Sequence, residues 1–247
     1  MPVYKSPVLI LRCQDWSESS QVIHLVAREA GRLRCLAKGS RRGQNPFSGP
    51  LDRWVLGDAV FSMTDPNKLA TLMELYETER LDGLRSRLPA FYGAAYLTEL
   101  VTVIVPDAEV QPATFDLLVQ AMRSLAQVEP AACRAVTYAA AWRLLALLGY
   151  VPAWDRCVQC GRPLEAARPV DYSAGLGGPV CVACRPEGRV HRLTGRTAQA
   201  AAFLTTADWA EIRRVRLSPA TATQMRAILT ARVAELAGKE LAAAKYV

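Results

Sequence analysis

CVQCGRPLEAARPVDYSAGLGGPVCVAC, Cys157–Cys184, carries four of the chain's seven cysteines as two C-x-x-C pairs with twenty residues between them. Each pair at this spacing forms a knuckle whose two thiolates face the same way. Two such knuckles match the spacing of a zinc ribbon, with Cys157, Cys160, Cys181 and Cys184 as ligands. Four thiolates leave no open position for water, so one zinc ion here is structural rather than catalytic. Gly175, Gly177 and Gly178 suit the turn that carries the chain back. A weak metal site or a redox role is the other reading. A thioredoxin-like role is disfavoured, because neither pair opens a helix in a βαβ unit.

What surrounds this stretch decides its place in the fold. Upstream, Ala90–Val105, Pro112–Gln127 and Pro130–Leu148 have apolar residues at three- and four-residue spacing, which predicts helices. Pro112 and Pro130 sit where helices begin and Gly149 where one ends. Downstream, Thr194–Leu204 and Pro219–Leu241 are again helical, with Ser218 as N-cap and Pro219 at the first helical position. The cysteine segment, residues 154–190, is therefore expected as an insert in a helical domain spanning 81–247.

Residues 1–80 have a different texture. Val8–Cys13, Gln21–Arg28, the RLRCLAKG run of Arg32–Gly39, Asp52–Met63 and Lys68–Arg80 alternate or are β-rich, with polar and glycine turns between them, TDPN among these. Five strands in about eighty residues fit an OB-fold barrel, although an SH3-like barrel reads almost the same. The expected fold class is α+β and multidomain: an N-terminal OB-fold β-barrel, then an α-helical domain with a four-cysteine, zinc-ribbon-like insert.

The 247 residues are half apolar and carry a net charge of +7, which suits polyanionic partners such as nucleic acid. The N-terminus shows no signal-peptide pattern. The most apolar run, Ala90–Pro106, contains Glu99 and is too short to span a bilayer, so a buried helix is expected and no membrane partner. A cytoplasmic, reducing setting follows, in which paired cysteines point to metal rather than disulfides. Cys13, Cys35 and Cys133 read as small buried hydrophobes.

The positive charge concentrates in the barrel. Arg28, Arg32, Arg34, Lys38, Arg41 and Arg42 fall within fifteen residues, opposed only by Glu29. Arg32 and Arg34 share one strand face. Lys38, Arg41 and Arg42 lie in the loop AKGSRRGQNPFSG, with its flexible glycines. A basic barrel face beside a basic loop is how single-stranded nucleic acid is tracked along its backbone; a solvated edge that discourages aggregation is the bland reading. Trp16, Phe47 and Trp54 are candidates to stack on bases, while Trp54 and Phe61 equally suit the barrel core.

Nothing assembles a catalytic centre. His24 sits mid-strand and His191 lies seven residues beyond Cys184. There is no phosphate-binding G-x-x-x-x-G-K-[S/T] loop, no G-x-S-x-G and no H-E-x-x-H. Asp15–Glu18 and Asp208–Glu211 stand alone, without a further carboxylate or histidine for a two-metal site. Asp107 and Glu109 read as exposed loop acids. A non-enzymatic protein is expected.

The L-A-K-G-S-R-R loop (Leu36–Arg42), S-G-P-L (Ser48–Leu51), C-x-x-C-G (Cys157–Gly161) and V-D-Y-S-x-x-x-G-G (Val170–Gly178) leading into C-x-x-C together resemble the RecO family of bacterial recombination mediators. The resemblance covers nearly the whole chain. It implies binding to single- and double-stranded DNA, annealing of complementary strands without ATP, and loading of recombinase on gaps coated by single-stranded-DNA-binding protein, together with RecR. By position it gives Lys38, Arg41 and Arg42 as the DNA-contacting loop, with Arg32 and Arg34 beside it, and the helical domain as the surface for RecR and for the acidic C-terminal tail of the single-strand binding protein. The implied location is cytoplasmic and nucleoid-associated. Arg123, Arg134, Arg143 and Arg213–Arg216 are candidates for that tail by charge alone. Arg185, Arg189, Arg192 and Arg196, four arginines in twelve residues, suggest a second basic surface, or a solvated rim. The runner-up is an OB-fold and zinc-ribbon nucleic-acid-binding factor outside recombination, serving RNA or transcription. A metal-dependent hydrolase and an acidic-peptide scaffold are the remaining readings.

Overall fold

The computed structural model describes residues 2–47, 51–65, 68–151, 153–165 and 168–247. Ser48–Pro50 of the S-G-P-L motif and Pro66–Asn67 of the expected TDPN turn lie outside the described residues. The chain packs as two compact units, Met1–Ser86 with Val101–Ala126, and Arg87–Leu100 with Gln127–Val247.

The first unit is built on five strands, β1 (Val3–Asp15), β2 (Gln21–Ala27), β3 (Gly31–Ala37), β4 (Val55–Ser62) and β5 (Ala70–Arg80). They close a barrel in the order β1-β2-β3-β5-β4, in which only β3 and β5 run parallel. The alternation read from the sequence sets the two faces. Ile23 and Leu25 of β2, Leu33 and Cys35 of β3 and Phe61 of β4 fill the interior. His24 and Arg34 face outward as a cross-strand pair. Strand β1 runs five residues further towards the N-terminus than its apolar run indicates, because Val3–Pro7 pair with β4. Burial pushes the Cys13 and Cys35 thiols up to about 12, as expected of inert packing residues.

Helix α1 (Leu88–Ile104) is followed by α2 (Pro112–Gln127), which begins at its proline. The segment between them docks on β3 within the first unit. Ala108 N–H donates to the Arg32 carbonyl at 2.8 Å. A side chain at Gly31, where φ is +72°, would strike the backbone of Glu109, so this turn requires glycine on two counts.

The second unit contains α3 (Cys133–Leu147), α4 (Gly195–Thr206), the short α5 (Trp209–Ile212) and α6 (Pro219–Ala237). Thr194, Asp208 and Ser218 cap the last three, Asp208 through a full capping box with Glu211. Helix α6 stops four residues short of the sequence expectation because Gly238 takes the left-handed conformation. Between α3 and α4 the four-cysteine segment forms a small antiparallel sheet that periodicity did not reveal: β6 (Val170–Ser173), β7 (Gly178–Val180) and β8 (Val190–Leu193), ordered β7-β6-β8. Tyr172 of β6 packs against Trp142 of α3 and Trp154, with ring centroids 6.3 and 5.7 Å away. Among the described residues no helix is long and apolar enough to cross a membrane.

Candidate nucleic-acid interface and metal cluster

The loop between β3 and β4 carries Lys38, Arg41 and Arg42, and it is anchored rather than loose. Gln21, the buried first residue of β2, accepts from Ser40 Oγ and from Leu51 N–H, both at 3.0 Å, and donates to the Leu51 carbonyl at 3.3 Å. One amide thus ties down both ends of the loop. Phe47 is only 2% exposed and joins the barrel core, which removes it from the stacking candidates. The loop also leans on the β1–β2 turn: Arg41 N–H donates to the Ser19 carbonyl and Gly39 N–H to Ser20 Oγ.

This anchoring sets out the basic side chains unequally. Lys38 and Arg42 are exposed and form no ion pair among the described residues. Arg41 reaches Asp15 at 2.8 Å. Arg34 is exposed on the outer face of β3. Arg32, on the same face, turns away from solvent: its guanidinium donates to the Val105 carbonyl at 2.9 Å, pairs with Asp107 at 2.9 Å, and its side chain is 15% exposed. Arg28 is likewise held by both oxygens of Asp116. Arg32 and Asp107 therefore join the docking of residues 105–108 on β3, with Asp107 a pairing partner rather than a free loop acid.

The open basic surface gains a residue that the sequence reading did not single out. Arg12 of β1, His24 of β2 and Arg34 of β3 stand in one cross-strand row. Burial, and then the charges of Arg12 and Arg34, hold the His24 imidazole below its ordinary value, so it is neutral at pH 7. Trp16, in the turn between β1 and β2, is 66% exposed. It borders two depressions of about 500 and 480 Å³, one reaching His24 and Arg34, the other Lys38 and Arg42. Of the three stacking candidates only Trp16 is available, since Trp54 is buried at 1% and its backbone N–H donates to the Ile10 carbonyl. A flat aromatic between cations is the composition that binds a phosphate backbone and stacks its bases.

In the second unit the four predicted thiolates do come together. The sulfurs of Cys157, Cys160, Cys181 and Cys184 lie within 4.8 Å of one another and can hold a metal ion. The Cys160–Cys181 separation is 3.9 Å. A tetrahedral ion with metal–sulfur bonds of about 2.3 Å needs edges of about 3.8 Å, so the donor set fits. Backbone contacts build the cage: Gly161 N–H donates to the Cys157 carbonyl, Cys184 N–H to the Cys181 carbonyl, and Val158 N–H to Pro179 of β7. Burial alone would raise the Cys157 thiol, but backbone N–H groups of Cys181, Cys160 and Gln159 outweigh it and bring it down to about 6. His191 is not one of the four ligands; it sits on β8 opposite Tyr172.

Comparison with known proteins agrees with both halves. Residues 1–78 match the family described as recombination protein O N terminal, and residues 85–243 match recombination protein O C terminal. The chain is similar to the DNA repair protein RecO of Anaeromyxobacter sp. (strain K), at 30% identity over 241 residues, covering 96% of this chain and 93% of that protein. It is also similar to the DNA repair protein RecO of Rhodopirellula baltica, 33% identical over 181 residues, 72% of this chain and 66% of that one. The RecO of Cutibacterium acnes is 30% identical over 219 residues, 87% of each.

Proposed function

The chain belongs to the RecO family of DNA repair proteins, and from that premise we propose that it is a recombination mediator that binds single- and double-stranded DNA and anneals complementary strands without ATP. It works with RecR to load recombinase on gaps coated with single-strand binding protein, whose acidic tail is its second protein partner. Its action is electrostatic and architectural rather than catalytic: phosphate contacts displace counterions and let two like-charged strands approach.

The observation that carries this reading is the surface around Trp16, where Arg34, Lys38 and Arg42 line the two depressions that the exposed indole borders, and Arg12 stands in the same cross-strand row as Arg34. Lys38, Arg42 and Arg34 contact phosphates, and Trp16 stacks on a base. Arg41 joins them by exchanging Asp15 for a phosphate. Arg32 contributes field and supports β3 rather than touching the strand. The OB-fold domain of residues 1–80 is the DNA-binding part, residues 81–247 the partner-binding part, and the insert of 154–190 holds zinc. Four cysteines favour zinc, because a soft all-thiolate tetrahedron suits it and leaves no site for substrate. The zinc locks the two knuckles, and no step of the binding runs through it.

The test is binding of the purified chain to single-stranded DNA, duplex DNA and a structured RNA hairpin, followed by fluorescence anisotropy across a salt series. Tighter binding to single-stranded DNA than to the hairpin, with a steep salt dependence, supports this reading. Preference for the hairpin would move the protein outside recombination.

A further inference from the structure

Annealing needs a place for a second strand. We propose that Arg185 and Arg192 form a second phosphate-binding site for nucleic-acid backbone, aimed by the buried carboxylate of Asp171 and steadied by the four-cysteine cluster. This rests on the barrel face being the first-strand site.

Asp171 occupies the central strand of the small sheet. Arg192 of β8 faces it on one side and Val180 of β7 on the other, and directly opposed residues put their side chains on the same face. The Asp171 side chain is 4% exposed. Its Oδ1 lies 3.2 Å from Arg192 Nη1 and its Oδ2 3.7 Å from Arg185 Nη1. A carboxylate buried in mid-sheet is costly unless it is paired. Here it is paired with two cations, so what it accomplishes is to hold two guanidiniums side by side.

Those guanidiniums remain available. Their side chains are 57% and 60% exposed, and Asp171 Oδ1 lacks a well-aligned hydrogen bond despite its close cation. Each arginine carries five N–H donors in a planar fork suited to phosphate. Two positive charges against one negative leave a net attraction for an anion. Among the described residues Arg189 and Arg196, the other members of the cluster, have no such anchor: Arg189 lines a different depression with His191 and Arg226.

The metal cluster enters through chain connectivity. Val180 of β7 leads directly into Cys181, and Arg185 directly follows Cys184. The second knuckle therefore begins beside Asp171 and returns Arg185 to it. Opening the knuckle would free Arg185 while leaving Arg192 on its strand.

The test uses the full zinc-loaded chain, first saturated with an unlabelled oligo(dT) strand and then titrated with a labelled, non-complementary strand. Asp171→Asn decides between positioning and diffuse charge, because it makes the protein more positive. Positioning predicts that Asp171→Asn weakens second-strand capture; diffuse charge predicts that it strengthens it. Arg185→Gln/Arg192→Gln, altering two half-exposed side chains, should leave first-strand affinity within about twofold and cut second-strand capture by about tenfold, with the salt slope of that step falling by about 1.4, the value for two single-strand phosphate contacts. Arg185→Lys/Arg192→Lys should recover only part of the loss. Unchanged second-strand capture in the glutamine variant, tighter capture in Asp171→Asn, or no second-strand capture by the wild type would each overturn the proposal. If Asp171→Asn loses its zinc, the glutamine variant decides alone. Failure of the wild type to hold the first strand would instead sink the barrel reading itself.

Discussion

The barrel loop and the four-cysteine insert both present arginines to solvent, and they hold them by different chemistry. In the barrel a neutral amide, Gln21, pins both ends of the loop by hydrogen bonds inside a large apolar core. In the insert the strands are three and four residues long. Strands this short bury little of their own and lean on packing or a cross-link. A metal ion held by the four thiolates, as proposed above, together with one buried carboxylate would supply that cross-link. The barrel surface should therefore survive changes of metal and redox state that dismantle the insert.

The largest effect expected is from Cys157→Ser, which removes the most buried ligand. Structural zinc contributes on the order of 10 kcal/mol of apparent binding energy in small zinc peptides, so loss of one thiolate should abolish stoichiometric zinc and lower the melting temperature of the second unit. The barrel's own transition and its binding of single-stranded DNA should persist. Metal content together with a two-probe thermal melt reads this out; loss of both transitions would show that the two regions are not independently held.

Next is Lys38→Glu/Arg41→Glu/Arg42→Glu. It should lower the salt slope for single-stranded DNA by at least about 2, from three lost phosphate contacts of about 0.7 each, with zinc content unchanged. A salt titration measures it, and an unchanged slope would remove the loop from the interface. Trp16→Ala should cost about 1–3 kcal/mol for single-stranded DNA, the usual worth of one base stacked on an aromatic side chain. Duplex DNA, whose bases are already stacked, should bind nearly as before, and an equal loss for both would make Trp16 a packing residue only.

Gln21→Leu sharpens the comparison without altering charge. It leaves Ser40 Oγ and the Leu51 N–H without their partner, a cost of about 1–3 kcal/mol per buried group. The melting temperature of the first unit should fall and DNA affinity should weaken modestly as the loop loosens; affinity unchanged at full occupancy of the fold would mean that the anchor serves stability alone.

The smallest effect belongs to His24. Its folded value lies below the ordinary imidazole value because of burial and the neighbouring Arg12 and Arg34. Below pH of about 6.5 the unfolded chain takes up a proton that the folded chain resists. Stability is therefore complete above that pH and declines as pH falls through the folded value. His24→Gln should flatten this decline in melts taken between pH 7.5 and 5.5; an unchanged slope would place the titration elsewhere.

Much of this was legible in the residues, for reasons of range. Alternation over seven residues is enough to put Leu33 and Cys35 inside and Arg34 outside, and C-x-x-C spacing is a local property that brings each pair of thiols together. What escaped lies far along the chain. The ion pairs of Arg28 and Arg32 were hidden because their partners, Asp116 and Asp107, are 88 and 75 positions away. Phe47 looked available in a glycine-rich loop because nothing local shows that Gln21 pulls the loop onto the core. Arg12 went unnoticed outside the dense basic stretch, until pairing set it beside His24. The small sheet escaped because strands of three and four residues containing Gly178 and Pro179 carry too few positions to show a period.

The most direct measurement is annealing of two complementary DNA strands, each coated with single-strand binding protein, with no nucleotide present, for the wild type beside Lys38→Glu/Arg41→Glu/Arg42→Glu. Acceleration by the wild type and none by the triple variant is the predicted result. Equal acceleration by both would contradict an annealer that works through the barrel loop, and no acceleration by either would contradict annealing itself.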